Sequence, residues 1–285
     1  MASSLESMMR YLMIGVMALM VWGATPSWAH DQTRIYSFGV VPQFEPRKLA
    51  AIWRPILTEV EKLTGLHLHM TGSPDINEFE RGFLRGDFDF AYMNPYHAVL
   101  AAKHQGYLPI LRDHGRKLSG VLVVAKDSPI THIKELQGQT IAFPSPNALG
   151  ASLLMRYELA EQHGLTVEPL YVKTHSSVYL HVALGQAVAG GGVLGTLKRQ
   201  KPAVKSRLKV FYTTRKMPPH PITAHKRISP KVRQQIQQAF LKLGQSKKGQ
   251  AMLANIPMKR MGVAAQKDYA VLNDWQLEHY YVAAQ

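Results

Sequence analysis

Residues 86–101, GDFDFAYMNPYHAVLA, contain the change of pattern that decides the fold. The short apolar and aromatic run over 88–92 has the length and composition of a buried strand. Asn94 and Pro95 then supply a helix N-cap and a first helical residue, and the apolar spacing becomes helical over 96–105. The stretch therefore predicts a strand that leads directly into a helix.

The same alternation extends in both directions along the chain. Strands are predicted over 35–41, 66–71, 107–111, 120–126, 140–143, 170–173, 187–193 and 208–213, with helices between most of them. Alternating strands and helices indicate an α/β fold. Two similar blocks are followed by a helical return, so we expect two lobes, each a mixed, mostly parallel sheet flanked by helices. Lobe 1 is expected to combine 30–118 with 223–285, and lobe 2 to span 119–222.

The first 29 residues have the features of a secretory signal peptide. Arg10 precedes an apolar run over 11–24, and Ser27-Trp28-Ala29 provides a small-x-small cleavage site after Ala29. The run is shorter than the roughly 20 residues that a membrane-spanning helix needs. The chain contains no Cys, which excludes disulfides, thiolate metal sites and a lipoprotein anchor. We therefore expect a periplasmic protein that is released after cleavage.

The charge balance favours an anionic ligand or partner. With 34 Lys and Arg against 19 Asp and Glu, the formal net charge is +15, and such a surface attracts anions. The basic residues are scattered along the chain, and an exported protein does not meet nucleic acid, so we expect no nucleic-acid partner.

Four junctions between a strand and the next helix contain residues suited to a ligand. Because the carboxyl ends of parallel strands share one edge of a sheet, these junctions are expected to border one cleft. At each junction the alternative is an ordinary capped turn. In chain order the candidates are Gln43 and Phe44; Tyr92, Asn94 and Tyr96; Ser145, Asn147, Ala148, Leu149 and Gly150; and His175, Ser176 and Ser177.

The third junction is the strongest candidate for an anion site. Ala148 and Gly150 allow a ligand to approach the backbone closely, and the free N–H groups at a helix start favour an anion. The absence of a Gly-Lys-Ser/Thr ending separates this turn from a nucleotide P-loop. His220, in the stiff segment PPHP, is a further candidate for the cleft.

Catalytic chemistry has weak support in the sequence. His175 with Ser176 or Ser177 is the one arrangement that resembles a nucleophile and base, and no carboxylate is evident to orient it. An exported enzyme therefore remains an alternative, but we predict no catalytic residue, no metal site and no cofactor.

Several segments together resemble one known family. They are FGVVPQ (38–43) with Trp53 and Pro55, GDFDFAYMNPYHAVLA (86–101), KELQGQTIAFPSPNALGASL (134–153) and THSSVYLHVALGQ (174–186). In order and spacing they resemble the phosphate/phosphite/phosphonate substrate-binding proteins of bacterial ABC transporters, over about residues 35–260.

The resemblance implies a type II periplasmic binding protein fold that closes on a small oxyanion by a hinge. The expected partner of the closed form is an ABC permease; an input protein for a membrane sensor kinase is the alternative. We expect the protein to be a monomer. By position, it implies ligand contacts from Phe44, Tyr92, His175 and the stretch Ala148-Leu149-Gly150. Family members carry consecutive Ser or Thr side chains at that stretch, and often an Asp where this chain has Ala189.

Overall fold

A computed structural model of the protein describes residues 34–256 and 258–283. The predicted signal peptide and its cleavage site lie outside the described residues. In the part that is described, no helix is long and apolar enough to cross a membrane.

Six strands form the first sheet: β1 Ile35–Val40, β2 His67–Thr71, β3 Phe90–Tyr92, β4 Leu108–Asp113, β10 Ile222–Ala224 and β11 Met261–Val263. They lie in the order β11-β4-β10-β3-β1-β2. β1 pairs in parallel with β2 and β3, whereas β10 runs antiparallel between β3 and β4. The first lobe is therefore built from two separate parts of the chain.

Five strands form the second sheet: β5 Gly120–Ala125, β6 Thr140–Phe143, β7 Glu168–Tyr171, β8 Ala189–Val193 and β9 Leu208–Thr213. They lie in the order β7-β6-β8-β5-β9, with β5 antiparallel to both of its neighbours. Alternate residues of β5 enter two different apolar clusters, which cover opposite faces of the sheet. The mixed α/β, two-lobed fold predicted from the sequence is confirmed.

The helices cover these two sheets. In the first lobe they are α1 Pro46–Thr64, α2 Ile76–Arg85, α3 Pro95–Gln105, α8 Pro230–Gln245 and α9 Lys247–Leu253. In the second lobe they are α4 Leu154–Glu161, α5 His175–Ala183, α6 Leu194–Lys198 and α7 Pro202–Lys205. Local signals set their ends: α1 ends at Gly65 with a φ of 71°, and the Asn94 side chain caps α3 by accepting from the backbone N–H of His97 at 2.8 Å.

Short non-α helices complete the structure. A 3₁₀ turn, Ile133–Leu136, precedes β6, and two further 3₁₀ helices, Gln266–Trp275 and Leu277–His279, follow β11. Leu149–Leu153 is π-helical and continues directly into α4. From its apolar spacing the sequence predicts a helix over 149–163 and a helical tail over 267–280. The structure has helices at both places, but the first begins with a π-helical turn and the tail is 3₁₀-helical.

Glycines let the start of this helical segment lie against the second sheet. A Cβ atom at Gly191 would clash with the carbonyl oxygen of Ala151, and one at Gly120 would clash with that of Gly150. The backbone of the π-helical turn is thus held against β5 and β8, two interior strands of the second sheet.

The chain crosses between the lobes after β4 and again after β9. Leu118 and Met217 pair where the two crossings meet, with N···O distances of 2.9 and 2.8 Å. The two strands that follow the second crossing, β10 and β11, were not predicted from the sequence. Each has only three residues, which is too short for an alternating pattern to be visible.

Residues 266–283, the C-terminal strap, pack against both lobes. Tyr269, Leu272 and Leu277 of the strap share one buried cluster with Tyr96 of the first lobe and Leu154 of the second. This cluster therefore joins the two lobes at the side of the cleft.

Candidate functional site

The cleft between the lobes contains two connected chambers. The inner chamber has about 290 Å³ of space and the outer chamber about 820 Å³, open solvent included. Val41, Gln43, Val193 and His220 border both chambers, so the two chambers adjoin. The other inner residues include Asn94, Ala148, Leu149, Gly150, Ala151 and His175, and the other outer residues include Phe44, Trp53, Tyr92, Arg116, Lys198 and Arg199.

The first predicted junction lies in the cleft as a buried turn. Gln43 and Phe44 follow β1 and are both almost fully buried. The Gln43 amide nitrogen lies 3.3 Å from Nε2 of His220, and the Phe44 ring carries the Lys48 ammonium 4.2 Å from its centroid. Both side chains border the chambers from the first lobe.

The residues of the second junction have different surroundings, and Tyr92 is the one whose side chain lines the outer chamber. Tyr92 ends β3, and its ring stacks on His220 with centroids 5.3 Å apart. The same ring packs at a tilt of 50° against Trp53, with centroids 4.9 Å apart. Its hydroxyl is buried and has no hydrogen-bond partner. Burial raises the pKa of this hydroxyl, which therefore stays protonated as a donor.

The two other residues of that junction are held by the protein. Asn94 borders the inner chamber, but its amide caps α3 and donates to the carbonyl oxygen of Asn147 at 3.2 Å. Tyr96 packs against Tyr281 of the strap, with ring centroids 6.0 Å apart, and borders neither chamber.

The third junction supplies backbone to the inner chamber and side chains to the contact between the lobes. Ala148, Leu149 and Gly150 line the inner chamber at the start of the helical segment 149–161. Ser145 instead donates to Oδ1 of Asn77 in the first lobe at 2.9 Å. Asn147 donates to Oε2 of Glu80 at 2.7 Å, and neither Ser145 nor Asn147 borders a chamber.

The first N–H groups of this helical segment precede its hydrogen-bonded turns and have the chemistry that suits an anion. Ser152 and Leu153 both donate to the carbonyl oxygen of Ala148, which leaves the N–H groups of Leu149, Gly150 and Ala151 ahead of the first helical hydrogen bonds. Such groups favour an anion, and the helix dipole adds to the effect.

The fourth junction brings one of its three predicted residues to the cleft. His175 is 3% exposed and borders the inner chamber, with Nδ1 3.3 Å from the Thr196 hydroxyl. Ser177 is bound to Thr174, which caps α5, and Ser176 receives a long contact of 3.5 Å from Gln200. Neither serine borders a chamber.

Burial keeps the cleft histidines neutral. It lowers the pKa of His175 to about 4. For His220, burial and then Coulombic repulsion from neighbouring groups, Arg116 among them, lower the pKa to about 3. Both imidazoles are uncharged at neutral pH and can each offer one N–H donor. His220 Nδ1 is buried without a partner.

The electrostatic character of the cleft is one-sided. Of the described residues that border either chamber, none is acidic, whereas Arg116, Lys117, Lys198 and Arg199 all border the outer one. Asp113, which holds Arg116 at 3.2 Å, is itself completely buried. The described residues contain no group of three or more potential metal ligands.

The arrangement around His175 does not resemble a nucleophile and base. The hydrogen-bond partner of its Nδ1 is a threonine hydroxyl, and none of the carboxylates in residues 34–256 and 258–283 contacts the ring. The geometry is suited to holding an anion by hydrogen bonds.

Sequence reasoning missed several residues of the cleft. Trp53 has the spacing of a core residue of α1, and its indole also forms a wall of the outer chamber. Arg116 and Ser119 lie in a crossing segment without a recognisable motif. Ala189, the position at which the resemblance implies an acidic residue, begins β8 at the end far from the cleft and is buried in the core, so it is not placed to meet a ligand.

Comparisons with known proteins agree with this geometry. A family model described as "ABC transporter, phosphonate, periplasmic substrate-binding protein" matches residues 38–269. The chain is 25% identical over 247 residues to the phosphonates-binding periplasmic protein of Escherichia coli K12; the match covers 81% of this chain and 73% of that protein.

Two solved structures share the fold. One is a binding protein component of an ABC phosphonate transporter from Pseudomonas aeruginosa, with a TM-score of 0.80 and 17% identity over 88% of this chain and 89% of that one. The other is a Prochlorococcus marinus protein, PhnD1, in complex with methylphosphonate, with a TM-score of 0.77 and 18% identity over 87% and 99% of the two chains.

Proposed function

Because the chain belongs to the family of periplasmic substrate-binding proteins of phosphonate ABC transporters, we propose that its cleft captures a phosphonate or a closely related phosphorus oxyanion. Members of this family bind substrate for a transporter and are not enzymes, and their place of action is the periplasm. The family supports the role in transport, whereas the type of ligand is argued from the residues that line the cleft of this chain.

The composition of the inner chamber supports an oxyanion. The N–H groups at the start of the helical segment 149–161 lie beside the buried imidazoles of His175 and His220. This collection of donors in a small space that no acidic residue borders is favourable for a phosphoryl group. It is the observation that carries the proposal.

The missing hydroxyls at Ala148-Leu149-Gly150 change how the anion is held. Side-chain donors of the family pattern are absent at this turn, so the backbone N–H groups and the imidazoles take their place. We expect Tyr92 to add its unpartnered hydroxyl from the outer side. Ser176 and Ser177, which the sequence also suggested, have no such supporting contact.

The ligand acts by favouring the closed arrangement of the lobes. Gln43, Phe44 and Tyr92 belong to the first lobe, and the turn at 148–151 and His175 belong to the second, so an anion between them contacts both. We propose that the units that move are 30–118 with 223–285, and 119–222. The closed form is then the one that the permease recognises.

The remaining parts of the proposal concern the route and the partner. The apolar run at 11–24 supports export by a signal peptide cleaved after Ala29, and the chain is proposed to work as a monomer. A sensor kinase would use the same closure. Loss of growth on a phosphonate as sole phosphorus source, after deletion of the gene, would support the transport role.

Direct binding tests the proposal. We expect isothermal titration of the purified chain with methylphosphonate or phosphate to give saturable binding at one site. We also expect a rise in melting temperature with ligand concentration and no turnover. His175→Gln should weaken binding at least about tenfold by removing an imidazole donor, whereas the exposed His104→Gln should not. Failure of every phosphorus oxyanion to bind would overturn the proposal.

A further inference from the structure

The outer chamber offers the larger share of the space in the cleft. With open solvent included, it has about 820 Å³ of space and the inner chamber about 290 Å³. Since four residues border both chambers, a substituent on a phosphorus atom in the inner chamber would lie next to the outer one.

The walls of the outer chamber are mainly apolar. The rings of Phe44, Trp53 and Tyr92 form one side, and each of these residues is less than 5% exposed. Leu49 and Ile52 of α1 continue that surface. Flat aromatic walls gain free energy by covering carbon atoms of a ligand.

Charge in the outer chamber opposes an amine. Four cationic residues border it and no acidic residue does, within the described part of the chain. Arg199 is positioned by two carbonyl oxygens, those of Gly195 and Ala254. An ammonium group on the substituent would leave water, meet like charges and find no carboxylate.

We propose that the natural ligand is a phosphonate whose substituent is an apolar carbon chain or ring without an amine. Its phosphonate group occupies the inner chamber, and its carbon substituent lies against Trp53, Phe44 and Tyr92. This specificity rests on the function proposed above, since it assumes that the inner chamber holds the phosphoryl head.

Titration with four probes tests the inference: phosphate, methylphosphonate, phenylphosphonate and 2-aminoethylphosphonate. Phenylphosphonate should bind about tenfold or more tightly than methylphosphonate, because the ring buries additional apolar area. The aminoethyl compound should bind more weakly than methylphosphonate.

A charge placed in the outer chamber should change this order. Leu194 borders the chamber, is 41% exposed and is the first residue of α6, where an acidic side chain is tolerated. Leu194→Glu should improve the binding of 2-aminoethylphosphonate about fivefold relative to phenylphosphonate through a charge-assisted contact. Leu194→Gln, the neutral match in shape, should not.

The outcomes separate this inference from the function beneath it. If methylphosphonate binds but phenylphosphonate is no tighter, or the aminoethyl compound is the tightest, the inference is wrong while the function stands. If none of the four probes binds, the proposed function fails and the inference falls with it.

Discussion

Asn147 and Glu80 meet across the junction of the lobes, with Nδ2 of Asn147 2.7 Å from Oε2 of Glu80. Both residues are almost completely buried. The other carboxylate oxygen of Glu80 lies 2.8 Å from Nε2 of His97, and the Asn147 amide also pairs with the backbone of Val282. One asparagine thus connects the second lobe to the first lobe and to the strap.

Replacing this asparagine should destabilise the protein. Asn147→Ala leaves a buried carboxylate oxygen and the Val282 backbone groups without partners, and we expect the free energy of unfolding to fall by about 1–3 kcal/mol. Urea unfolding of the ligand-free protein measures the change. The exposed Asn273→Ala is the control, and equal stability of the two variants would contradict the structural role of Asn147.

Removing the end of the strap should loosen the closed form. A chain that ends at His279 loses the Tyr280 carbonyl that accepts from Arg156 at 2.7 Å, as well as the Val282 pairing with Asn147. We expect a stability loss of at least about 2 kcal/mol and a larger radius of gyration without ligand. Small-angle scattering and thermal unfolding measure both, with a chain ending at Ala283 as the control. Unchanged scattering would show that the strap does not hold the lobes.

The buried histidines of the cleft should make the free energy of unfolding decrease at low pH. Their native pKa values, about 4 for His175 and about 3 for His220, lie below the unfolded value near 6.5. The unfolded chain therefore binds more protons below pH 6.5. Stability is complete above that pH and falls as the pH decreases towards 4 and 3, by up to about 1.4 kcal/mol per pH unit for each histidine.

Unfolding in urea at pH 7, 5.5 and 4.5 measures this slope. His220→Gln should reduce the slope by removing one of the two groups, and His104→Gln should leave it unchanged because His104 is exposed. Parallel curves for the two variants would show that burial of His220 does not govern the acid response.

Removing the Tyr92 hydroxyl should weaken ligand binding without lowering the stability of the ligand-free protein. Because it is buried without a partner, Tyr92→Phe removes a desolvated polar group, and the ligand-free protein should be as stable or more stable. Affinity for methylphosphonate should fall about tenfold if the hydroxyl donates to the ligand. Tyr171→Phe, half-exposed on β7, is the matched control. A normal affinity of Tyr92→Phe would remove this tyrosine from the proposed site.

The fold was accessible from the sequence because its longer elements carry strong local signals. The helix at Pro46–Thr64 has an apolar stripe, a proline start and a glycine end, and the strand–helix unit at 86–101 has its own cap. β10 and β11 were not accessible, since three residues carry no periodicity and their place depends on partners distant in the chain.

The candidate site could be predicted only in part from the sequence, for a different physical reason. Sequence places a residue at the end of a strand, but it does not say whether the side chain turns to the cleft or to the other lobe. His175 and the turn at 148–150 border the inner chamber, whereas Tyr96, Ser145 and Asn147 make contacts between protein groups. Those contacts depend on the strap and on α2, which no motif connects with the junctions.

The position of β10 determines the order in which the two lobes can be completed as the chain is synthesised. This strand fills the gap between β3 and β4, yet it is synthesised and exported only after all five strands of the second sheet. The second lobe is continuous in sequence and can fold before β10 is available. Until then the sheet of the first lobe lacks the strand between β3 and β4. We expect the cleft to form last. A chain that ends before residue 222 would then have a folded second lobe but no binding site.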